Sequence, residues 1–325
     1  MTTRAPLAIE ATGLEKSFGP TRAVAGVDLA VPEGAIYGVL GPNGAGKTTV
    51  IRMLATLIDP DAGSARVLGH DIRTDGDAVR GLVSLTGQLA SVDEELTGRE
   101  NLVLLGRLLG LPRRVAKARS DELLDAFGIA EASGRLVKHY SGGMRRRLDI
   151  AASIVVTPRV MFLDEPTTGL DPRSRNQVWE IARALAAGGT TILLCTQYLE
   201  EADQLADGIA VIDRGRVIAE GTPGQLKASV SAGALHVRLL DPGRRPEAAS
   251  VLERTVGAVL LEPDPAALTV SCSDANRAAA GVAELARSGV GIAEFSLGQP
   301  SLDEVFLALT GHLAESDPTL EEKVS

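Results

Sequence analysis

The chain has 325 residues, 45% of them hydrophobic, which is enough for roughly two domains at about 150 residues each. Its 33 basic and 42 acidic residues leave a formal charge of −9, which argues against non-specific nucleic-acid binding because that needs a basic face. No apolar stretch approaches the length needed to cross a bilayer, so a role at a membrane requires another chain to hold this one there.

Aromatics are only 3%, so aliphatic side chains and alanine must fill the core. The opening "MTTRAPLAIEATG" has no long apolar run, and no secretory signal is expected. Cys195 and Cys272 both fall in apolar runs and read as small buried hydrophobes in a reducing compartment.

Short apolar runs alternate with helical patterns over the first two thirds. "AIYGVL" (35–40), "VMFLD" (160–164), "TILLC" (191–195) and "IAVID" (209–213) predict strands buried on both faces, hence an α/β domain with a mainly parallel sheet. After the first strand comes "GPNGAGKTT": Gly41, Pro42, Asn43, Gly44, Ala45, Gly46, Lys47, Thr48 and Thr49. It fits G-x-x-x-x-G-K-[ST] between a strand and the helical "TTVIRMLATLI". Glycines let successive amides converge on a phosphate, and the helix start adds partial positive charge. Lys47 should reach the β- and γ-phosphates of a nucleotide, and the Thr48 hydroxyl should ligate Mg²⁺.

"YSGGMRRRLDIAASIVVTP" (140–158) is a second glycine-rich helix start. Ser141 offers a hydroxyl, and Gly142 and Gly143 offer bare amides. Met144, Leu148, Ala151 and Val155 share one face, and Pro158 marks the stop. Arg145, Arg146 and Arg147 read as a solvated face without chemistry. The strand 160–164 then ends in Asp164 and Glu165. Two carboxylates at the end of an apolar strand are costly unless a metal and a polyphosphate compensate. Asp164 is the expected Mg²⁺ partner, and Glu165 the group that polarises a water for attack on the γ-phosphate. Thr196 and Gln197 lie at the carboxyl end of the strand 191–195, where ligands of open α/β sheets bind.

"DRGRVIAEGTPGQL" (213–226) predicts a hairpin, a last strand and a break, closing the first domain, 7–228. Residues 233–312 restart in the order β-α-β-β-α-β, a ferredoxin-like α+β unit. Here Asp274 is the predicted cap of "ANRAAAGVAELAR", and Ser301 and Glu304 form a predicted capping box on the closing helix. The polar, acidic residues 313–325 are expected to be disordered.

The phosphate loop, "YSGGM" and "VMFLDEPTTGLDP", in that order, resemble the nucleotide-binding subunit of ABC transporters over roughly residues 7–228. Tyr140 and Met144 depart from the family's Leu-Ser-Gly-Gly-Gln but leave its Ser-Gly-Gly intact. The resemblance implies a P-loop NTPase fold with a helical subdomain, ATP hydrolysis, and a head-to-tail homodimer. Ser141, Gly142 and Gly143 of one protomer would then close over the ATP of the other. It further implies that Phe18 in "EKSFG" stacks on adenine and that Gln88 senses Mg²⁺ and the lytic water beside the membrane subunit. Asp171 in "TTGLDP" would touch the opposite protomer. Gln197 stands where most of the family has a histidine on the γ-phosphate; its amide can donate there but cannot become cationic.

"YSGGMRRRLDIAAS", "TGRENL", "TQYLEEADQLAD" and "SLDEVFLALTG" look like the ATPases of daunorubicin-type drug-resistance exporters. That branch implies an integral membrane permease as partner and a peripheral position on the cytoplasmic face of the cell membrane. No nucleic-acid partner is expected. Among non-transport alternatives, translation-factor ABC proteins carry two cassettes, whereas this chain has one phosphate loop and one signature. DNA-repair types insert a long coiled coil, and no sustained heptads lie between Lys47 and Ser141. A P-loop kinase would make "YSGGM" a coincidence.

Overall fold

A computed structural model describes residues 6–86, 92–230, 233–272, 274–298 and 302–310. The chain divides into two compact units, which meet in sequence between Thr222 and Pro223.

The first unit is built on two sheets. Strands β1 (Leu7–Phe18) and β2 (Thr21–Pro32) form a long antiparallel ribbon, which continues through β4 (Ala62–Val67) to β5 (His70–Asp71) in the order β2-β1-β4-β5. The sequence reading named none of these strands. Their burial alternates with polar positions and is interrupted by register shifts, so no apolar run marks them.

The other sheet has the order β10-β9-β3-β8-β7-β6. Its members are β3 (Ile36–Leu40), β6 (Val83–Thr86), β7 (Val160–Asp164), β8 (Thr191–Thr196), β9 (Gly208–Asp213) and β10 (Arg216–Gly221). Five of them run parallel, as the four apolar runs predicted, and β10 returns antiparallel to β9. That hairpin turns through Arg214 (φ 47°) and Gly215 (φ 75°), both left-handed, which suits the twist of the strands.

Every residue of β3, β7 and β8 is buried because both faces are covered. Val39, Phe162, Leu193 and Cys195 face a core shared with α1 (Lys47–Leu54) and the antiparallel ribbon. Met161, Leu163, Ile192 and Leu194 face a second core, shared with α3 (Gly98–Leu108), α4 (Arg113–Ala126), α5 (Gly142–Ser153) and α6 (Pro172–Ala187). Short helices α2 (Gly76–Arg80) and α7 (Leu199–Leu205) complete the unit. Thr97 starts α3 with a capping box to Glu100.

The second unit begins with α8 (Pro223–Val230), which lies against the closing helix α11 (Leu302–Thr310). The sequence predicts an end to the first domain near residue 228; the two units divide at Thr222 and Pro223, so α8 belongs with the second unit. Between them run β11 (Ala234–Leu239), α9 (Arg245–Thr255), β12 (Val259–Leu261), β13 (Ala267–Ser271), α10 (Ala275–Arg287) and β14 (Ile292–Gly298). The sheet is antiparallel, in the order β12-β13-β11-β14, with α9 and α10 over its apolar face. Asp274 caps α10 by accepting the Asn276 N–H, as predicted. Ser301 of the predicted capping box and the tail 313–325 lie outside the described residues. Among the described residues no helix is long and apolar enough to cross a membrane.

Candidate functional site

Strand register assembles the site. β8 lies between β3 and β7, with Leu40 opposite Thr196 and Asp164 opposite Cys195. Three carboxyl ends are therefore level, and the loop from Gly41, the Gln197 step and Glu165 all leave the sheet at one edge. Ligands of open parallel sheets bind at such an edge.

The phosphate loop is tied down by its backbone. Ala45 N–H donates to Pro42 O (3.1 Å), and Gly215 N–H donates to Ala45 O (2.9 Å). Gly46 caps α1 at φ 106°, a left-handed conformation, and a Cβ there would overlap the Ala23 carbonyl. Asn43 and Gly44 at the crest are exposed. Lys47 is buried, and its ammonium donates to Gly41 O (2.7 Å) and Pro42 O (3.1 Å), inside the loop it would share with a phosphate. Thr48 Oγ1 donates to Asp164 Oδ1 at 3.2 Å. Cys195 is fully buried behind them, with Sγ 3.8 Å from Lys47 O, so it packs as a hydrophobe.

Asp164 is only 4% exposed. Burial pushes its carboxyl above the ordinary carboxylate range, against the pull of the Thr48 hydroxyl, and the Glu165 charge adds to the rise. A buried acid beside a hydroxyl is an oxygen pair of the kind Mg²⁺ takes together with substrate phosphates. Among the described residues no group of three His, Cys, Asp or Glu gathers to hold a metal without them. Glu165 sits at φ 48°, left-handed for a residue with a side chain, and its N–H donates to Cys195 O (2.8 Å). Such strain persists only where the surroundings hold it, and it is common at functional sites.

Gln197 is half-buried, and its Oε1 is buried without a hydrogen bond. The cap of α7 is Tyr198, without a side-chain bond, while Thr196 Oγ1 accepts the Tyr198 N–H at 3.0 Å. Helix capping therefore makes no use of the Gln197 amide.

Ser141 caps α5 by accepting the Met144 N–H (3.3 Å), and Gly142 stands open. Gly143 lies against α6 so closely that a Cβ would overlap Ser174 Oγ. Asp171 caps α6, accepting from Ser174 N–H (3.0 Å) and Oγ (2.6 Å); these bonds hold its carboxyl below the usual range. Tyr140, a departure from the family's leucine, is buried and donates to Ala132 O (2.8 Å). A cleft of about 410 Å³ runs from Gly142 to Glu165 and Thr168.

The arginines after the signature are not a solvated face. Arg145 pairs with Glu94 (2.6 Å), Arg146 Nε donates to Pro166 O (2.8 Å), and Arg147 donates to Phe127 O (2.9 Å). Each is half-buried because α5 packs between the sheet and the other helices. Phe18 ends β1 and is 51% exposed, which excludes a core role, and Lys16 Nζ lies 5.9 Å from its ring centroid. Gln88 lies outside the described residues. The sequence reading also missed Thr167 and Glu201, both buried beside the Glu165 loop. A glutamate in an acidic helix carries no local sign that it points inward.

The ABC transporter family pattern matches residues 24–168. The daunorubicin/doxorubicin resistance ATP-binding protein DrrA of Streptomyces peucetius is 59% identical over 322 residues, 99% of this chain and 98% of that protein. The Nod factor export ATP-binding protein I of Rhizobium sp. (strain N33) is 37% identical over 309 residues, covering 95% of this chain and 99% of the relative. Among solved structures, an ATP-binding subunit of an ABC transporter superposes with a TM-score of 0.62 at 27% identity, covering 69% of this chain and 93% of that one. A phosphate loop, an acidic strand end and a Ser-Gly-Gly helix start on this fold, with relatives matched over their full length, make the chain an ATP-hydrolysing member of the ABC transporter family.

Proposed function

We propose that the chain powers efflux of a drug or antibiotic-like compound through a separate integral membrane permease. The observation that carries this reading is the 59% identity, across 99% of the chain, to a relative named for daunorubicin/doxorubicin resistance. A more distant relative is named for Nod factor export, which supports export as the shared task and leaves the cargo to the permease.

In this reading ATP lies on the loop Gly41–Thr49, with amides and Lys47 on its phosphates and its adenine against the exposed Phe18 ring. Thr48 and Asp164, with Gln88, hold Mg²⁺, whose charge offsets that of the triphosphate. Glu165 orients and polarises the attacking water, and Gln197 donates its amide N–H to the γ-phosphate. Its neutral amide cannot relay a proton, so Glu165 and not Gln197 takes the proton chemistry of the water.

Two copies pair head to tail, so that Ser141, Gly142 and Gly143 of one complete the site of the other, with Asp171 near the seam. The presence of two phosphate-type helix starts but one acidic strand end in a single chain supports this pairing. Nucleotide handling belongs to the first unit, the span read as 7–228, and the second unit, read as 233–312, serves as a docking module. The protein works at the cytoplasmic face of the cell membrane, touching it only through the permease. The charge of −9 speaks against a nucleic-acid partner.

Vanadate trapping tests the reading. Membranes holding the chain and its permease are expected to trap nucleotide, more so with an amphipathic drug present. Trapping that ignores both permease and drug, or co-sedimentation of the chain with ribosomes or DNA, overturns it in favour of a non-transport ATPase.

A further inference from the structure

The loop after Glu165 is gripped from two sides by charged side chains that the proposed chemistry does not use. On one side stands Glu201, on α7, four residues beyond Gln197 and fully buried. Its Oε1 accepts from Thr167 Oγ1 at 3.0 Å and from Trp179 Nε1 at 3.1 Å, and the Thr196 hydroxyl and the Arg175 charge also lie against the carboxylate. Thr167 belongs to the Glu165 loop, and Trp179 to α6, the helix capped by Asp171. On the other side stands Arg146, on α5. Its Nε donates to Pro166 O at 2.8 Å, and its guanidinium also reaches Asp164 O at 3.5 Å.

Together these two side chains hold the carbonyl before Glu165, the carbonyl after it, and the hydroxyl one residue further on. Glu165 itself is at φ 48°, a conformation that persists only when its surroundings over-determine it. Stability alone does not account for the choice of residue. A fully buried carboxylate is expensive to desolvate, and an apolar side chain of similar volume is usually no worse for folding. A carboxylate does provide one acceptor that two donors from different elements can share.

We propose that Glu201 and Arg146 are positioning residues that clamp the Glu165 loop in its strained, hydrolysis-ready form. The clamp also joins that loop to three helices: α5, whose start carries Ser141–Gly143, α6 behind Asp171, and α7 behind Gln197. It rests on the reading of Glu165 as the water-polarising group. Both side chains act through the loop, so their removal should impair turnover and spare ATP binding.

The test uses the full chain with its permease. Glu201→Gln keeps an acceptor for Thr167 and Trp179 and should stay within about threefold of wild-type kcat. Glu201→Leu and Arg146→Met should each lower kcat about tenfold or more, with ATP affinity changed less than about threefold. Arg146→Lys should recover only part of that loss, because a lysine ammonium does not reproduce the guanidinium fork. If Glu201→Leu does not fold, Thr167→Val, which removes only the loop's donor, carries the same expectation. Wild-type kcat in these variants, or parallel loss of kcat and ATP affinity, overturns the clamp. Glu165→Gln separates the two ideas: if it is inactive while the clamp variants turn over normally, only the clamp falls. Wild-type turnover in Glu165→Gln removes the underlying reading as well.

Discussion

Thr48 Oγ1 donates to Asp164 Oδ1 at 3.2 Å across 116 residues of sequence. Thr48 lies in the first turn of the helix after the phosphate loop, and Asp164 ends β7, two places from β3 in the sheet. The contact exists because parallel strands in register bring their ends level, and it places the acid 4% exposed.

That burial has a measurable cost. It holds the folded-state pKa of Asp164 above its unfolded value, so the ionised acid destabilises the nucleotide-free chain near neutral pH. The penalty is absent once the pH has fallen below both values. Asp164→Asn should therefore raise the melting temperature of the nucleotide-free protein near neutral pH, and this gain should shrink as acidification protonates the wild-type residue. The same variant should lose ATP hydrolysis by about a hundredfold or more. Melting curves across pH, paired with a phosphate-release assay, check both halves. An asparagine variant that is less stable at neutral pH contradicts the burial argument.

If Gln197 donates to the γ-phosphate as proposed, Gln197→Ala removes one neutral donor and should slow hydrolysis about tenfold while ATP affinity holds. Gln197→His should remain within about threefold of wild type, since an imidazole N–H can make the same bond. Single-turnover rates together with nucleotide titrations distinguish these outcomes. Unaltered turnover in the alanine variant would mean that the buried Oε1 and its amide serve only the strand end.

Asp171 is the N-cap of α6, and Asp171→Ala should cost about 1 kcal/mol of unfolding free energy. Its carboxyl is held below the ordinary range, so the wild-type bond contributes stability above the unfolded pKa and loses it as pH falls through the lowered value. Asp171→Asn preserves the cap. If it restores stability without restoring ATP-dependent dimerisation, the charge acts across the protomer seam; if it restores both, capping is the whole role. Denaturation and light scattering on the same samples decide the matter.

Tyr140→Phe should cost about 1 kcal/mol by removing the buried bond to Ala132 O. Tyr140→Leu, the family's usual residue, should cost more, about 2–4 kcal/mol, because the ring fills the space over Gly98. Chemical denaturation measures both. An equal cost for the two variants would show that the hydroxyl, and not the ring volume, is what this position needs.

Much of the site is local chemistry and is legible in the sequence. The phosphate loop, Ser141–Gly143, Asp164 and Glu165 are each marked within a few residues by glycines, a hydroxyl or a carboxylate at the end of an apolar run. The fully buried strands are marked in the same way, because burial on both faces demands an unbroken apolar stretch. The sequence by itself thus determined the α/β class, the nucleotide chemistry and the order of the parts. Only the tertiary structure decided which side chains support them. The β1–β2 ribbon escaped because half-buried strands share their alternation with polar surface. Arg146 and Glu201 escaped because a charged residue in a helix reads as solvated until packing turns it inward. Their partners, Pro166 and Thr167, are 20 and 34 residues away along the chain. At that separation the pairing is set by how helices seat on the sheet, a property of the assembled core that no local pattern carries.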